Sequence, residues 1–439
     1  MKIYIETYGC SSNQADSEMM AGLLAGSGHV LVKNMKQADV VVINTCFVKS
    51  PTENKIIDRI KQTARVFPEK GLVVAGCMPE VMKKRIYSVA PRACLVGTHK
   101  ITKICDAVEA AKKGKGFESV GISKEHKAGI AKKRNNGVIN IVPISSGCLG
   151  ACTYCCVRLA KGRLRSYPES IIVNDVKKSL NEGCKEIWIT SQDCSCYGAD
   201  SGKSIAGLVK KVTKIEGNFR VRIGMMNPGH IKPILKELVS AYDDQKVYKF
   251  IHVPVQSGSD RVLKLMKRGY AVRDFEHVVS EFRKAFPGIT VVTDVITGFP
   301  GETENDFKKT VGLIKRVRPD FANLSRFGAR PGTEASKMKQ LDDSVIKDRG
   351  KRLRAVIKTL SVDANRKFIG KKYEILISEK GKKPDQWIGR NEFYKTVIVE
   401  SKTNLMCKSV SVKITGSEET HLEACMILGK VYSKSAAEL

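Results

Sequence analysis

Short apolar runs alternate with helical periodicity from the first residues of the chain. Lys2–Ile5, Val40–Ile43 and Leu72–Ala75 are short, mainly apolar runs and read as buried strands. Met19, Met20, Leu23 and Leu24 recur at helical spacing and predict an amphipathic helix after the first of them. The alternation predicts a Rossmann-like α/β domain over residues 1–116. The chain then turns Lys- and Gly-rich from Val108 to Gly116, and Lys124–Gly137 is polar and basic, as a linker would be.

A second βα series occupies residues 134–364. Its candidate strands are Val138–Ile144, Ile187–Thr190, Val221–Ile223, Phe250–Val253, Val291–Val295 and Phe321–Leu324. Amphipathic helices lie between them, as where Phe275, Val278, Val279, Phe282 and Phe286 share one face. Six such units with right-handed crossovers predict a partial (βα)6 barrel rather than the closed eight-unit form. Residues 370–433 change character. Tyr373–Ile377, Thr396–Val399 and Ser409–Ile414 are short β runs separated by Gly and polar turns, which predicts a small β-barrel. Lys371, Lys372, Lys380, Lys382, Lys383 and Arg390 crowd its first half. Overall the chain is an α/β protein of three domains, without internal repeats.

Charge adds a partner to this picture. Among 439 residues, 76 Lys and Arg stand against 45 Asp and Glu, a net +31. That excess favours a polyanion, nucleic acid first, over the plainer reading that it serves solubility. No stretch approaches the ~20 apolar residues of a membrane span. Met1–Glu6 runs directly into a strand and does not resemble a secretory signal, so a cytoplasmic location with no membrane partner is expected. In a reducing compartment the 14 cysteines point to metal or redox work rather than disulfides.

Two cysteine constellations carry candidate chemistry. The first is Gly147-Cys148-Leu-Gly-Ala-Cys152-Thr-Tyr-Cys155, in a loop after a predicted strand. Thiolates are the ligands of [4Fe–4S] clusters, and three of them leave one iron open for a substrate or cofactor. A structural zinc site, by contrast, calls for four ligands in paired spacing. The C-x3-C-x2-C spacing with an aromatic before the last Cys is similar to that of radical S-adenosylmethionine (SAM) enzymes. The second constellation is dispersed: Cys10 in Thr7-Tyr-Gly-Cys10, Cys46 in Asn44-Thr-Cys46 and Cys77 in Ala75-Gly-Cys77. Each follows a predicted strand, and in an open α/β sheet those carboxyl ends converge on one crevice. Buried free cysteine is common, but a threefold strand–turn–Cys repetition favours a ligand set.

The remaining cysteines differ. Cys94, Cys105, Cys184, Cys407 and Cys425 lie in apolar surroundings and are expected in cores. Cys156 adjoins the first triad as a spare. Cys194 and Cys196, in Ser191-Gln192-Asp193-Cys194-Ser195-Cys196, are expected to be bystanders. The other strand ends of the middle domain are polar and Gly-rich, as an active-site rim is. Gln192, Asp193 and Asp294 are its candidates for holding the ribose or amino group of SAM. Thr303 with Asp306 reads as a helix N-cap pair, and His252 as a satisfied core histidine.

Together, two triads, a partial barrel and a terminal β-barrel resemble the methylthiotransferase family across essentially the whole chain. Pro254-Val-Gln-Ser-Gly-Ser-Asp260, Gly298-Phe-Pro-Gly-Glu-Thr303 and Arg330-Pro-Gly-Thr333 match further family motifs. Arg163-Leu-Arg-Ser-Tyr-Pro168 and Glu186-Ile-Trp-Ile-Thr-Ser-Gln-Asp193 resemble the archaeal and eukaryotic tRNA branch. The resemblance implies two [4Fe–4S] clusters, an auxiliary one on Cys10, Cys46 and Cys77 and a radical-generating one on Cys148, Cys152 and Cys155. It implies SAM as cofactor, a C-terminal barrel like the TRAM nucleic-acid-binding domain, and the anticodon arm of tRNA as partner. A sulfur donor and an electron donor are implied without being specified. The reaction implied is conversion of N6-threonylcarbamoyladenosine beside the anticodon to its 2-methylthio form. One SAM would donate the methyl group, and a second would yield the radical that enables sulfur insertion at adenine C2. Animal members carry a C-terminal membrane segment that this sequence lacks, which suggests the archaeal type. Two other readings stay open. Ser191-Gln-Asp193 also occurs in the branch that modifies an aspartate of a ribosomal protein, and a non-catalytic metal-containing RNA-binding protein would share the charge and cysteines.

Overall fold

The computed structural model describes residues 1–48, 50–123 and 127–432. The first three residues of the expected linker, 124–126, and position 433 of the expected third domain lie outside the described residues.

Six parallel strands form the first sheet, in the order Val30–Leu31, Lys2–Thr7, Val40–Thr45, Gly71–Gly76, Cys94–Gly97, Glu118–Ser119. Val40–Thr45 and Gly71–Gly76 are buried at every position because helices cover both faces, which is why they read as unbroken apolar runs. On the helix Ser11–Gly26, Met19, Met20 and Leu24 are buried against the sheet. The strand order reverses between Lys2–Thr7 and Val40–Thr45. Such a switch point opens a crevice at the carboxyl ends of the two strands. Cys10 and Cys46 follow those two strands.

The middle domain has six parallel strands in chain order. Ile139–Pro143, Glu186–Thr190 and Arg220–Ile223 form one half; Phe250–His252, Thr290–Thr297 and Phe321–Arg326 form the other. A single parallel bridge, Val221 to Val247, joins the halves. The result is an open partial barrel. Ile187, Ile189, Val221, Ile223, Ile251 and Val291 point outward into the helix layer, all buried. Alternation sends Trp188, Arg222, His252, Asp294 and Asn323 into the lumen. There, His252 Nε2 lies 3.0 Å from Asp294 Oδ1, which also accepts from Asn323 Nδ2 at 2.7 Å. His252 is therefore satisfied, but in the lumen rather than in the helix-packed core. Thr303 and Asp306 form a full capping box on the helix Glu304–Val317.

The last domain is a closed barrel in the order Lys372–Lys380, Gln386–Arg390, Thr396–Glu400, Leu422–Tyr432, Ser409–Ser417. Two of these strands escape the sequence pattern. Gln386–Arg390 is interrupted by Gly389, where an added Cβ would come within 2.8 Å of the Leu376 carbonyl oxygen. Leu422–Tyr432 mixes outward polar positions with Gly and Cys. The core holds Ile375, Ile377, Trp387, Val397, Val399, Val410, Val412 and Ile414. The cysteines expected in cores divide accordingly. Cys94 and Cys184 are buried and Cys105 is half-buried, but Cys407 and Cys425 are exposed. Cys407 sits in a turn at φ +65°, and Cys425 sits opposite Lys413 on a strand of the small barrel.

This barrel docks on the amino-terminal ends of the middle strands. Tyr394, at the tip of its Asn391–Lys395 turn, sits 4.8 Å from the Tyr248 ring centroid and 4.9 Å from that of Phe250. Trp188 and the guanidinium of Arg222 close around it. Lys395 Nζ reaches Asp320 Oδ1 at 2.8 Å. Tyr394→Ala removes the ring from this aromatic box and is expected to cost about 3 kcal/mol or more. Thermal denaturation of the apo protein checks this: an unchanged midpoint would show that the docking adds nothing to stability.

Candidate active site

The rim opposite that docking surface carries the cysteine loop. Gly147 stands at φ +76°, and a Cβ there would meet the Arg163 carbonyl oxygen at 2.0 Å, so only glycine lets the loop turn so close to the chain that returns beside it. Gly150 N–H donates to Cys148 Sγ at 3.3 Å. A Cβ on Gly150 would lie 3.5 Å and 3.6 Å from the sulfurs of Cys148 and Cys152, so both sulfurs face the same side of the loop. The segment is anchored from below. Thr153 N–H donates to the Met266 carbonyl at 3.1 Å, and the Tyr154 ring meets Phe299 edge-on at 6.4 Å. Arg268 Nη1 donates to Cys152 Sγ at 3.1 Å and its Nε to Tyr270 OH at 3.0 Å. Burial pushes the Cys155 thiol up to about 12. A hydrogen bond from Cys196 brings Cys148 down to about 7, against the opposing effect of burial.

The sequence-level candidates for SAM contacts all lie on this rim or in the lumen beneath it. Asp193 is buried and its oxygens are engaged. Oδ1 accepts from Ser195 N at 3.1 Å, Ser195 Oγ at 2.5 Å and Asn227 N at 3.1 Å; Oδ2 meets His230 Nδ1 at 2.7 Å. It thereby caps the turn Cys194–Cys196. Gln192 is half-buried, and its Oε1 is buried without a hydrogen-bond partner among the described residues. Asp294 sits half-exposed between His252 and Asn323. Cys194, expected as a bystander of the rim, is buried in the core of the middle domain. Cys196, also expected as a bystander, stands against the loop: among the described residues, Cys148, Asp193 and Cys196 are the one trio of potential ligand atoms all within 4.8 Å of one another. The alternating cysteines of the turn hide this in the sequence, because only the cap on Asp193 decides which thiol faces the loop.

The second triad assembles at the switch point of the first sheet. Cys10 opens the helix Ser11–Gly26, Cys46 follows Val40–Thr45, and Cys77 follows Gly71–Gly76. Gly9, at φ +118°, passes so close that a Cβ would stand 2.8 Å from Cys46 Cβ. Asn13 Oδ1 lies 3.8 Å from Cys10 Sγ and 3.9 Å from Cys77 Sγ. Its amide nitrogen donates to the Thr45 and Tyr8 carbonyls at 2.8 Å and 3.0 Å, tying the two Cys-bearing turns together. Neither cysteine triad closes to the spacing of a single-ion site. A cubane cluster distributes its thiolates over separate irons and does not ask for that spacing.

Beside this triad lies a buried charge cluster that the sequence does not announce. Asp16 Oδ1 binds Lys127 Nζ at 2.6 Å, and Asp16 Oδ2 lies 3.6 Å from Lys161 Nζ. Thr98 Oγ1 accepts from both lysines, at 3.2 Å and 2.7 Å. Burial alone would raise the Asp16 pKa, but the two lysines hold it below the usual carboxylate range. Burial lowers Lys127 to about 8 and, with the lysine charges, His99 to about 4. Burial works against the Lys161 charge too, yet Asp16 and then Cys77 keep its pKa raised. Lys161 belongs to the middle domain, six residues past Cys155. The strand ends of the two domains meet here. Cys156 packs in one apolar cluster with Cys46 and Cys77, and Arg330 donates to the Phe47 carbonyl and to Glu53.

Three family models match the chain. They are Uncharacterized protein family UPF0004 over residues 2–97, the radical SAM superfamily over 142–314 and the TRAM domain over 366–427. In fold, the chain is similar to the radical SAM methyltransferase TsrM of Kitasatospora setae, with a TM-score of 0.56 at 13% identity over 76% of this chain and 75% of that one. Fold and cysteine loop thus define a radical SAM enzyme. By sequence it is 41% identical to a probable threonylcarbamoyladenosine tRNA methylthiotransferase of Methanothermobacter thermautotrophicus, over 91% of this chain and 94% of that protein. The corresponding protein of Pyrococcus horikoshii is 45% identical over 87% and 90%, and the human threonylcarbamoyladenosine tRNA methylthiotransferase is 36% identical over 100% and 76%. The chain belongs to the threonylcarbamoyladenosine tRNA methylthiotransferase family.

Asp16 balances two buried ammonium groups, whereas each lysine has Asp16 as partner. Asp16→Asn is therefore expected to destabilise the apo protein by about 3–5 kcal/mol, the penalty of stranding a buried charge. Lys127→Met, which leaves Asp16 paired with Lys161, should cost less. Chemical denaturation of both variants checks the ranking, and equal losses would refute it.

Proposed function

We propose that this chain is a radical SAM methylthiotransferase that converts N6-threonylcarbamoyladenosine beside the anticodon of tRNA to its 2-methylthio derivative. The observation that carries the reading is that Cys156, next to the last cysteine of the C-x3-C-x2-C loop, packs in one cluster with Cys46 and Cys77, so the segments bearing the two triads adjoin at one domain interface.

The residues fit the cofactors of such an enzyme. Cys148, Cys152 and Cys155 would hold one [4Fe–4S] cluster. The cation of Arg268 and the amide of Gly150 already face two of those sulfurs, as anionic thiolate ligands require. Cys10, Cys46 and Cys77 would hold the second. Two lysines against one aspartate leave an excess of buried positive charge beside them, which suits an anionic cluster. When bound, the first cluster with SAM supplies one-electron radical chemistry, and the second a place to hold sulfur.

The chain's own groups bind and orient. Gln192 offers its unpartnered Oε1 to a donor of SAM, such as a ribose hydroxyl or the amino group. Asp193 fixes His230 at the rim, and Asp294 presents a carboxylate held by His252 and Asn323. On the small barrel, Lys371, Lys372, Lys380, Lys382 and Lys383 are exposed and suited to the phosphates of an anticodon arm. Arg390 is not among them, because it folds onto Tyr394 and pairs with Glu379. No helix among the described residues is long and apolar enough to cross a membrane, and a tRNA substrate is met in the cytoplasm.

Mass spectrometry of tRNA nucleosides from cells with and without the protein tests the reading. A species heavier by one methylthio group at threonylcarbamoyladenosine is expected. Cys152→Ala should abolish SAM cleavage, whereas Cys46→Ala should leave cleavage and stop thiolation. Methylthiolation retained by the Cys46 variant would rule out the N-terminal triad's role. Cleavage on intact clusters with unmodified tRNA would move the substrate to a ribosomal-protein aspartate. Zinc in place of iron and sulfide after anaerobic purification would remove the radical chemistry altogether.

A further inference from the structure

One thiol close to Cys148 belongs neither to the C-x3-C-x2-C loop nor to the N-terminal triad. Cys196 ends the turn Cys194–Cys196 and is 2% exposed. Its sulfur falls within 4.8 Å of both Cys148 Sγ and a carboxylate oxygen of Asp193. It also lies 3.1 Å from the carbonyl oxygen of Asp193. The turn has little freedom to move it elsewhere. Asp193 caps the turn through Ser195 N and Oγ, holds Asn227 N, and is itself fixed by His230.

A cysteine thiol has one hydrogen to give. Here that hydrogen lies against a neutral carbonyl at 3.1 Å, and the sulfur of Cys148 stands within 4.8 Å of the same thiol. Once Cys148 is a metal-bound thiolate, the charged sulfur is the stronger acceptor. We propose that Cys196 is a positioning residue that donates an S–H hydrogen bond to the Cys148 ligand and thereby raises the reduction potential of the cluster at Cys148, Cys152 and Cys155. The physical reason is that reduction adds negative charge to the cluster and its sulfurs, so a donor aimed at a ligand sulfur favours the reduced form. Such a cluster must accept an electron before it can pass one to SAM, so the bond acts on the step that precedes the chemistry. Ligation of the open iron by Cys196 is the competing arrangement. It would occupy the position SAM needs, and the proximity of Cys196 is to a sulfur already committed as a ligand.

This inference rests on the reading of the three loop cysteines as cluster ligands, and the test separates the two. The full-length protein, purified and reconstituted anaerobically, is titrated with EPR detection, following the reduced-cluster signal that shifts when SAM is added. In the wild type, absence of any such signal would sink the cluster reading itself. With the cluster present, Cys196→Ala is expected to make reduction roughly tenfold less favourable, ~59 mV lower for a one-electron couple. Cys196→Ser, which keeps a donor, should recover most of that shift. An exchangeable proton coupled to the cluster in the wild type should vanish in Cys196→Ala, a readout independent of the potential. An unchanged potential with full iron content in Cys196→Ala would overturn the proposal. So would loss of cluster iron from both variants, which would make Cys196 a ligand instead of a donor.

Discussion

A lysine six residues beyond the cysteine loop is buried in a neighbouring domain, and most of the architecture depends on what keeps it there. An ammonium group taken out of water is tolerated only against a counter-charge and full hydrogen bonding. Lys161 finds both on the N-terminal domain, in Asp16, Thr98 and Ser12. The contact cannot slide, because Asp16 also serves Lys127 and all three side chains are enclosed. It sets the distance between the loop that carries Cys155 and the crevice that carries Cys46 and Cys77. Arg330 fixes the same junction from the other side, on the carbonyl of Phe47 and the carboxylate of Glu53. Two charged pins at one interface leave the two sets of strand ends facing each other.

Much of this was legible in the chain because parallel sheets leave strong traces. Val40–Thr45 and Gly71–Gly76 are buried on both faces, so their sequences are apolar without interruption. The six barrel strands alternate with amphipathic helices and were found on that rhythm. Both sets of cysteines stand out in the chain, one by its C-x3-C-x2-C spacing and the other by a threefold strand–turn–Cys repetition. The remainder failed for a common reason. Gln386–Arg390 and Leu422–Tyr432 are barrel strands with one polar face, and their pattern is short and broken by glycine. Asp16, Lys127 and Lys161 come from three unrelated segments, and nothing local marks any of them as buried. Cys196 reads as a bystander because its place beside Cys148 depends on one rotation of a capped turn, which a spacing rule does not contain. Tyr394 reads as an ordinary turn residue until the lumen of another domain closes over it.

The position of that tyrosine has a consequence for the substrate. The small barrel with its exposed lysines grips the amino-terminal ends of the middle strands, while the cysteine loop lies at their carboxyl ends. A strand of the length of Thr290–Thr297 spans about 26 Å at ~3.3 Å per residue. The small barrel and the cysteine rim therefore lie at opposite ends of the middle strands. A free nucleoside would meet only the rim and gain nothing from the lysines. A folded nucleic-acid arm is long enough to lay its phosphates on one end and bring a single base to the other, so the docking geometry itself favours a macromolecular substrate. Its affinity and its chemistry would then respond to different residues. Salt would weaken the hold of the lysines without touching the enclosed pairs Asp16–Lys161 and Arg330–Glu53 that keep the two triads together.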